Sequence, residues 1–318
     1  MSITVVGSIA YDTVKTPFGT RERMLGGAAV HFALAASFFE EVRVVGPVGE
    51  DFGDAELDVM RRRGVDVSDV ERVDGGRTFF WQGEYGWDLN SRETLDTQLG
   101  VFEGFQPKLS ERSRSSDVLF LANIQPDLQR EVRAQLPAAR FVALDSMNLW
   151  IDQARDSLVS AIGAVDCVIL NDAELRQLTG RPNLLAAARE VLSWTSSGSG
   201  RGPSVVVAKQ GEYGAALITR EGFFALPAYP LETVIDPTGA GDTFAGGLVG
   251  YIAAHPQEEL SDDLLRRAMA HATVLASFNV EEFGTDRVER LTGREIVDRI
   301  AELRSITQFS GTPAKLRH

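Results

Sequence analysis

One cysteine, four histidines and fewer basic than acidic residues remove several kinds of protein from consideration. A lone cysteine cannot close an intramolecular disulfide, and Cys167 sits in the apolar run 165–170, so a reducing, cytoplasmic setting is expected. His31, His255, His271 and His318 show no metal-ligand spacing with each other or with Cys167, and no structural zinc site is expected. With 32 Lys and Arg against 45 Asp and Glu, the net charge of −13 leaves no broad basic face for nucleic acid. An anionic ligand must therefore be held locally. No stretch reaches the roughly 18 uninterrupted apolar residues of a membrane helix. The apolar start, residues 1–10, is short, lacks a basic flank and reads as a first strand rather than a signal peptide. Neither nucleic acid nor membrane is expected as a partner.

What is present suits a soluble enzyme-sized chain: 318 residues, 44% hydrophobic and 24% charged, close to globular averages. Short apolar runs at 3–7, 42–46, 118–121, 141–145, 168–171 and 205–209 predict strands buried on both faces. Amphipathic stretches at 51–63, 128–136, 174–179 and 184–194 predict helices between them. Alternating strand and helix implies a mainly parallel sheet with helices on both sides, whose ligands bind at the carboxyl ends of the strands. Residues 77–105 break this pattern. The run Thr78-Phe79-Phe80-Trp81-Gln82-Gly83-Glu84-Tyr85 suits an antiparallel ribbon, and with 13–25 it predicts a small lid over the main sheet. An ordinary surface hairpin is the alternative. The Ser- and Gly-rich run 196–202 reads as a flexible loop, and 311–318 as a poorly ordered tail.

The most informative run is Asp236-Pro237-Thr238-Gly239-Ala240-Gly241-Asp242-Thr243-Phe244-Ala245-Gly246-Gly247. Pro237 is expected to halt a preceding strand, the small residues let backbone approach a ligand closely, and 244–252 continues as a helix. Amides at such a helix start can stabilise a transferring phosphoryl group, while a carboxylate on the same turn accepts a proton. A Gly-rich turn before a helix is, by itself, as often a structural cap. Asn171-Asp172-Ala173-Glu174 offers oxygen ligands suited to magnesium, yet reads equally as a helix cap completed three residues later. Lys209 could reach a phosphate or be a solvated strand-end lysine. Asp12 could accept hydroxyl protons from a diol or serve a turn. No G-x-x-x-x-G-K-[ST] run is present.

The full string from Asp236 to Gly247 resembles the signature of the ribokinase-like (PfkB) kinases, which transfer the ATP γ-phosphoryl group to a hydroxyl of a sugar, nucleoside or related alcohol. The resemblance implies a ribokinase-like three-layer α/β/α Rossmann-like fold over residues 1–318, with a small β-sheet lid. It implies that Gly239, Ala240 and Gly241 form an anion hole and that Asp242 is the catalytic base. Asn171 and Glu174 resemble the family's N-x-x-E motif, which orders Mg2+ and its waters. Lys209, Gly211 and Gly214 resemble its nucleotide-site turn, with Ala272 and Ala276 of a helix at 268–283 bordering the adenine; those alanines suit helix packing equally. Asp12, Gly26 and Gly27 match the substrate motifs at the first strand and the di-glycine turn. Asn123, at a strand end, is a further candidate for the substrate crevice. Among relatives a monovalent cation such as K+ is known, which points here to Asp236.

Two departures stand out. His31 replaces an Asn that many members carry, and Ala10 replaces another, so the amide donors of ribose and fructose kinases are missing. His31 then either contacts a different substrate or is a buried, hydrogen-bonded histidine. Sugar and nucleoside acceptors both stay open, the lid aromatics favouring a nucleoside slightly. A non-catalytic ligand-binding member of the fold is the competing class. The lid also offers a surface for a homodimer.

Overall fold

The computed structural model describes residues 1–195 and 202–308. The loop read at 196–202, apart from Gly202, and the tail at 311–318 lie outside the described residues.

The strands are β1 (Ser2–Val6), β2 (Ala10–Thr16), β3 (Gly19–Gly26), β4 (Glu41–Gly49), β5 (Asp66–Val73), β6 (Phe79–Tyr85), β7 (Arg92–Gln98), β8 (Val118–Leu121), β9 (Phe141–Asp145), β10 (Cys167–Asn171), β11 (Val205–Lys209), β12 (Ala215–Thr219) and β13 (Phe223–Leu226). Nine of them form one sheet in the order β13-β12-β11-β10-β9-β8-β1-β4-β5. Pairing is parallel from β11 through β5, and antiparallel at β11–β12 and β12–β13. The strand expected at 42–46 runs longer, because β4 continues to pair with β5 as far as Gly49.

Continuous apolar runs are what strands covered on both faces require. On β8, Val118 and Phe120 pack into one helical layer while Leu119 and Leu121 pack into the other. β9, β10 and β11 repeat this alternation, giving the three-layer α/β/α architecture. Each fully buried Val, Leu, Ile or Phe contributes about 1.5–3 kcal/mol before conformational entropy is subtracted. One layer contains helices Ala28–Ala36, Asp54–Arg62, Ala240–Ala253 and Asp262–Asn279; the other contains Pro126–Gln135, Arg155–Ile162, Asp172–Thr179 and Leu184–Leu192.

A second, four-stranded sheet, β3-β2-β6-β7, rises from the carboxyl edge of the first. β2 leaves β1 after a three-residue link, and β3 runs directly into helix Ala28–Ala36. The lid expected from 13–25 and 77–105 thus corresponds to strands spanning Ala10–Gly26 and Phe79–Gln98.

Three expectations need correction. No strand precedes Pro237: β13 ends at Leu226 and the chain reaches Pro237 as coil, held by the Ile235 N–H on Val280 O at 2.8 Å. The helix after the glycine run begins at Ala240 rather than at 244, because Gly239 adopts a left-handed φ of 74° and turns the chain straight into it. The helix expected at 268–283 spans Asp262–Asn279, starting where the Ser261 side chain accepts the Leu264 N–H.

Candidate active site

Three parallel strands deliver polar residues to one edge. Asp145, Asn171 and Lys209 are the last residues of β9, β10 and β11, and Asn171 pairs with Lys209 across the ladder. The apolar strand interiors are consumed by the core, so chemistry can begin only where the strands emerge. Lys209 Nζ donates to Asp145 Oδ2 at 2.9 Å, and both side chains are largely buried.

Helix Ala240–Ala253 brings its N-terminus to the same place. It packs closely on helix Ala28–Ala36: a Cβ at Gly246 would lie 2.4 Å from Phe32 O. Asp242 stands in its first turn. A Cβ at Gly241 would stand 2.9 Å from Lys209 Nζ, so the ammonium lies against the turn that carries Asp242. Ala240 N–H turns back to Pro237 O at 3.2 Å, whereas the Gly239 and Gly241 amides have no protein acceptor among the described residues.

The carboxylates share this crevice and raise one another. Burial, reinforced by the charge of Asp145, pushes Asp242 up to about 7, with Lys209 opposing the shift. Burial and Asp145 likewise push Glu174 up to about 7. Asp12 reaches about 7 through burial and the nearby charges of Asp236 and Asp242. Burial works against the Lys209 ammonium, but Asp145, Glu174 and Asp242 outweigh it and hold its pKa above the ordinary lysine value. A carboxylic acid poised near 7 can act as a base at neutral pH.

At the opposite end, Asp12 of β2 lies over the di-glycine turn: a Cβ at Gly26 would be 2.0 Å from Asp12 Oδ2. Gly27, at φ 99°, caps helix Ala28–Ala36, and its amide opposes the rise in the Asp12 pKa. Asp12, Gly26 and Gly27 therefore converge with Asp242 on one crevice.

The family model for pfkB family carbohydrate kinases matches residues 2–290. The chain belongs to the PfkB family. It is 30% identical over 266 residues to a cytidine kinase of Thermococcus kodakarensis, covering 81% of this chain and 91% of that protein. The adenosine kinase of Sinorhizobium meliloti superposes with a TM-score of 0.79 at 18% identity, covering 94% of this chain and 99% of that one. A Vibrio cholerae fructokinase double mutant bound to fructose, ADP and potassium ion superposes at 0.76 and 19% identity, covering 94% and 98%. This PfkB protein is thus a kinase acting on a hydroxyl group of a sugar or nucleoside, and ATP is the donor expected of the family.

In this PfkB kinase several motif residues carry structural duties as well. Asn171 Oδ1 accepts the Glu174 N–H at 2.7 Å, and Glu174 Oε2 accepts the Asn171 N–H at 2.8 Å, a complete capping box. Cap and site coincide, because the cap locks the Glu174 carboxylate beside Asp145. Asp236, fully buried, accepts the Thr238 N–H at 2.9 Å and the Gly284 N–H at 3.0 Å, stapling the glycine loop to the segment after helix Asp262–Asn279.

Other residues sit less directly on the crevice. Asn123 is engaged by Trp150 Nε1 at 3.0 Å and by Met147 Sδ at 3.0 Å. Gly211 begins a 3-10 turn with φ 57°, and Gly214 passes so close to the end of β13 that a Cβ would meet Leu226 O at 2.1 Å. Ala272 is fully buried where its helix crosses Gly247, a close packing position. Ala276 is partly buried on the same helix. His31 lies under Gly239, with its Nδ1 3.1 Å from Asn279 Oδ1.

Motif reading missed Arg92, Asn279 and the role of Tyr85. Asp12, Trp81 and Tyr85 share one face of the lid, since Asp12 pairs with Trp81 and Trp81 and Tyr85 are separated by an even step along β6. Arg92 pairs with Tyr85 on that face and lies 5.3 Å from the Trp81 ring. The Thr238 hydroxyl donates to Tyr85 Oη at 3.2 Å, which shows that this face meets the glycine loop. Arg92 is close enough to favour the ionised forms of Asp12, Glu174 and Asp242. The lid tip also touches the nucleotide-side turn, where Asn90 Nδ2 donates to Glu212 Oε1 at 2.9 Å. No motif marks these positions.

Proposed function

We propose that this kinase transfers the γ-phosphoryl group of ATP to a hydroxyl of a nucleoside, with Asp242 as the base. The observation that carries the reading is Asp242 itself: a carboxylate poised at about 7, in the first turn of a helix whose Gly239 and Gly241 amides have no acceptor among the described residues. Asp12 accepts hydrogen bonds from the acceptor's diol beneath the lid. Asp242 takes the proton as the hydroxyl oxygen attacks phosphorus in line. The Gly239–Gly241 turn, Ala240 included, stabilises charge on the moving phosphoryl group, aided by Lys209 and by the lid's Arg92.

The donor's phosphates would lie between the Gly241 turn and the β11 end, bordered by Asn171, Lys209, Gly211 and Gly214, with Ala276 on the adenine side. Glu174, with Asp145 behind it, suits Mg2+ held through water: hard oxygen donors crowded to a pKa near 7 are relieved by a cation. Bound there, Mg2+ supplies countercharge for the phosphates. Asp236 is the carboxylate suited to K+, since each oxygen accepting one backbone amide keeps a further lone pair.

A nucleoside is favoured over a sugar by the 30% identity to the Thermococcus cytidine kinase and by Ala10 and His31, which remove the amides of ribose and fructose kinases. ADP release measured with ATP across cytidine, uridine, adenosine, inosine, ribose, fructose and inositol tests this. A nucleoside should give the highest kcat/KM. Turnover with free sugars alone would sink the nucleoside reading and leave the kinase assignment intact.

A further inference from the structure

We propose that His31 is a positioning residue of phosphoryl transfer, acting through Asn279 on the peptide that joins Thr238 to Gly239. The inference rests on the reading of the Gly239–Gly241 turn as the phosphoryl site.

Asn279 is fully buried, and its amide is used up by three neighbours. Its Nδ2 donates to Thr238 O at 2.7 Å, which fixes the direction of the amide because a carbonyl needs a donor. Oδ1 therefore faces the other way, where it accepts the Thr243 hydroxyl at 2.9 Å and meets His31 Nδ1 at 3.1 Å. His31 must bring a proton to that contact, so the ring carries it on Nδ1. Burial presses the imidazole down to about 4, which keeps it neutral at working pH.

The consequence lies in the peptide plane. Thr238 C=O and Gly239 N–H belong to one planar trans unit, so holding the carbonyl toward Asn279 points the Gly239 N–H the opposite way, away from the protein interior. His31 adds a second constraint, because its ring fills the volume beside Gly239: a Cβ there would lie 2.3 Å from both Nδ1 and Cε1. The ring packs against the turn from one side while Asn279 holds its carbonyl from another. His31 belongs to the helix opened by the di-glycine turn, and Asn279 ends helix Asp262–Asn279. The pair thus links the acceptor side of the crevice to the phosphoryl side.

Direct contact with the acceptor fits these observations poorly. His31 is 2% exposed, Nδ1 is committed to Asn279, and Nε2 is buried with no hydrogen-bond partner among the described residues.

The test compares kcat and acceptor KM for His31→Leu, Asn279→Leu and the double variant, with circular dichroism as the folding control. Losing the orientation of one amide donor predicts a kcat fall of roughly 10- to 100-fold in each single variant, somewhat less than deleting such a donor. Acceptor KM should stay within about 3-fold, and the double variant should be no slower than Asn279→Leu, because leucine at 31 keeps the packing beside Gly239 and the two residues act in series through the Nδ1–Oδ1 contact. A large rise in acceptor KM with kcat kept, or additive losses, would overturn the proposal.

Asn279→Asp serves if the leucine variants fail to fold. It keeps both acceptor contacts and replaces the N–H to Thr238 with a carboxylate oxygen that repels that carbonyl, so kcat should still fall with KM unchanged, and full kcat at a pH where the carboxyl is ionised would refute the link. Asp242→Asn run alongside separates the two claims. If it keeps full turnover, the phosphoryl-site reading fails; if it is inactive while the His31 and Asn279 variants keep full kcat, only the link fails.

Discussion

Lys209 Nζ and Asp145 Oδ2 are 2.9 Å apart across two strand ends that flank β10, and the same ammonium lies against Gly241. Asp145 holds the lysine's charge where a transferring phosphoryl group would pass. Removing one member of a buried pair leaves the other uncompensated. Lys209→Met is therefore expected to lose about 3–5 kcal/mol of stability, read by urea unfolding. In Lys209→Met/Asp145→Leu most of that stability should return while turnover stays low. Recovery of both together would remove Lys209 from the chemistry.

Asp242 opposes stability above neutral pH. Its folded pKa is about 7 against an ordinary 3.8, so the protonated form favours folding and that contribution is lost as pH rises through 7. Asp242→Asn should raise Tm more at pH 8 than at pH 5, while lowering kcat roughly 10²- to 10⁴-fold. An equal Tm change at both pH values would show that the carboxyl is not raised.

The proposed base, Asp242, must be ionised to act, so kcat/KM for the acceptor should rise with pH along an acid limb centred near 7. Arg92 favours the ionised forms of Asp12, Glu174 and Asp242, so Arg92→Met should move that limb to higher pH and lower its plateau. A pH–rate series on both proteins decides this. An unmoved limb would place Arg92 outside the closed site.

Among the contacts that fasten the lid, two lie at its crevice side and tip, Tyr85 to Thr238 and Asn90 to Glu212. A closed lid excludes water, which is itself an acceptor for the phosphoryl group. Tyr85→Phe/Asn90→Ala should raise acceptor KM several-fold and increase ATP hydrolysis without acceptor relative to phosphorylation. Steady-state assays with and without acceptor measure both.

Much of this site was legible because its pieces are contiguous. Asp236–Asp242, Asn171–Glu174, Gly26-Gly27 and Asp12 each pair a chemical group with the turn that presents it, so a short string contains both. The capping box bears out the structural reading of Asn171–Glu174 and holds the Glu174 carboxylate near Asp145. At Ala272 small size was all the sequence offered, and small size serves helix crossing as well as a nucleotide slot. The edge strands β12 and β13 and the early start of helix Ala240–Ala253 were not visible. Their backbone course follows from neighbours remote in sequence and from the φ of one glycine.

Lys209 and Asp145 mark the same boundary. By itself the sequence determined that each ends a buried strand, because an apolar run must stop where a charge begins. It likewise determined the order of the motifs and the identity of Asp242. Only the tertiary structure brought Lys209 to Asp145, His31 to Asn279 and Arg92 over the crevice. Those pairs lie 64 and 248 residues apart, or on a strand whose facing depends on a bulge in its pairing. Strand order and helix crossing set such distances, and no local pattern of residues encodes them.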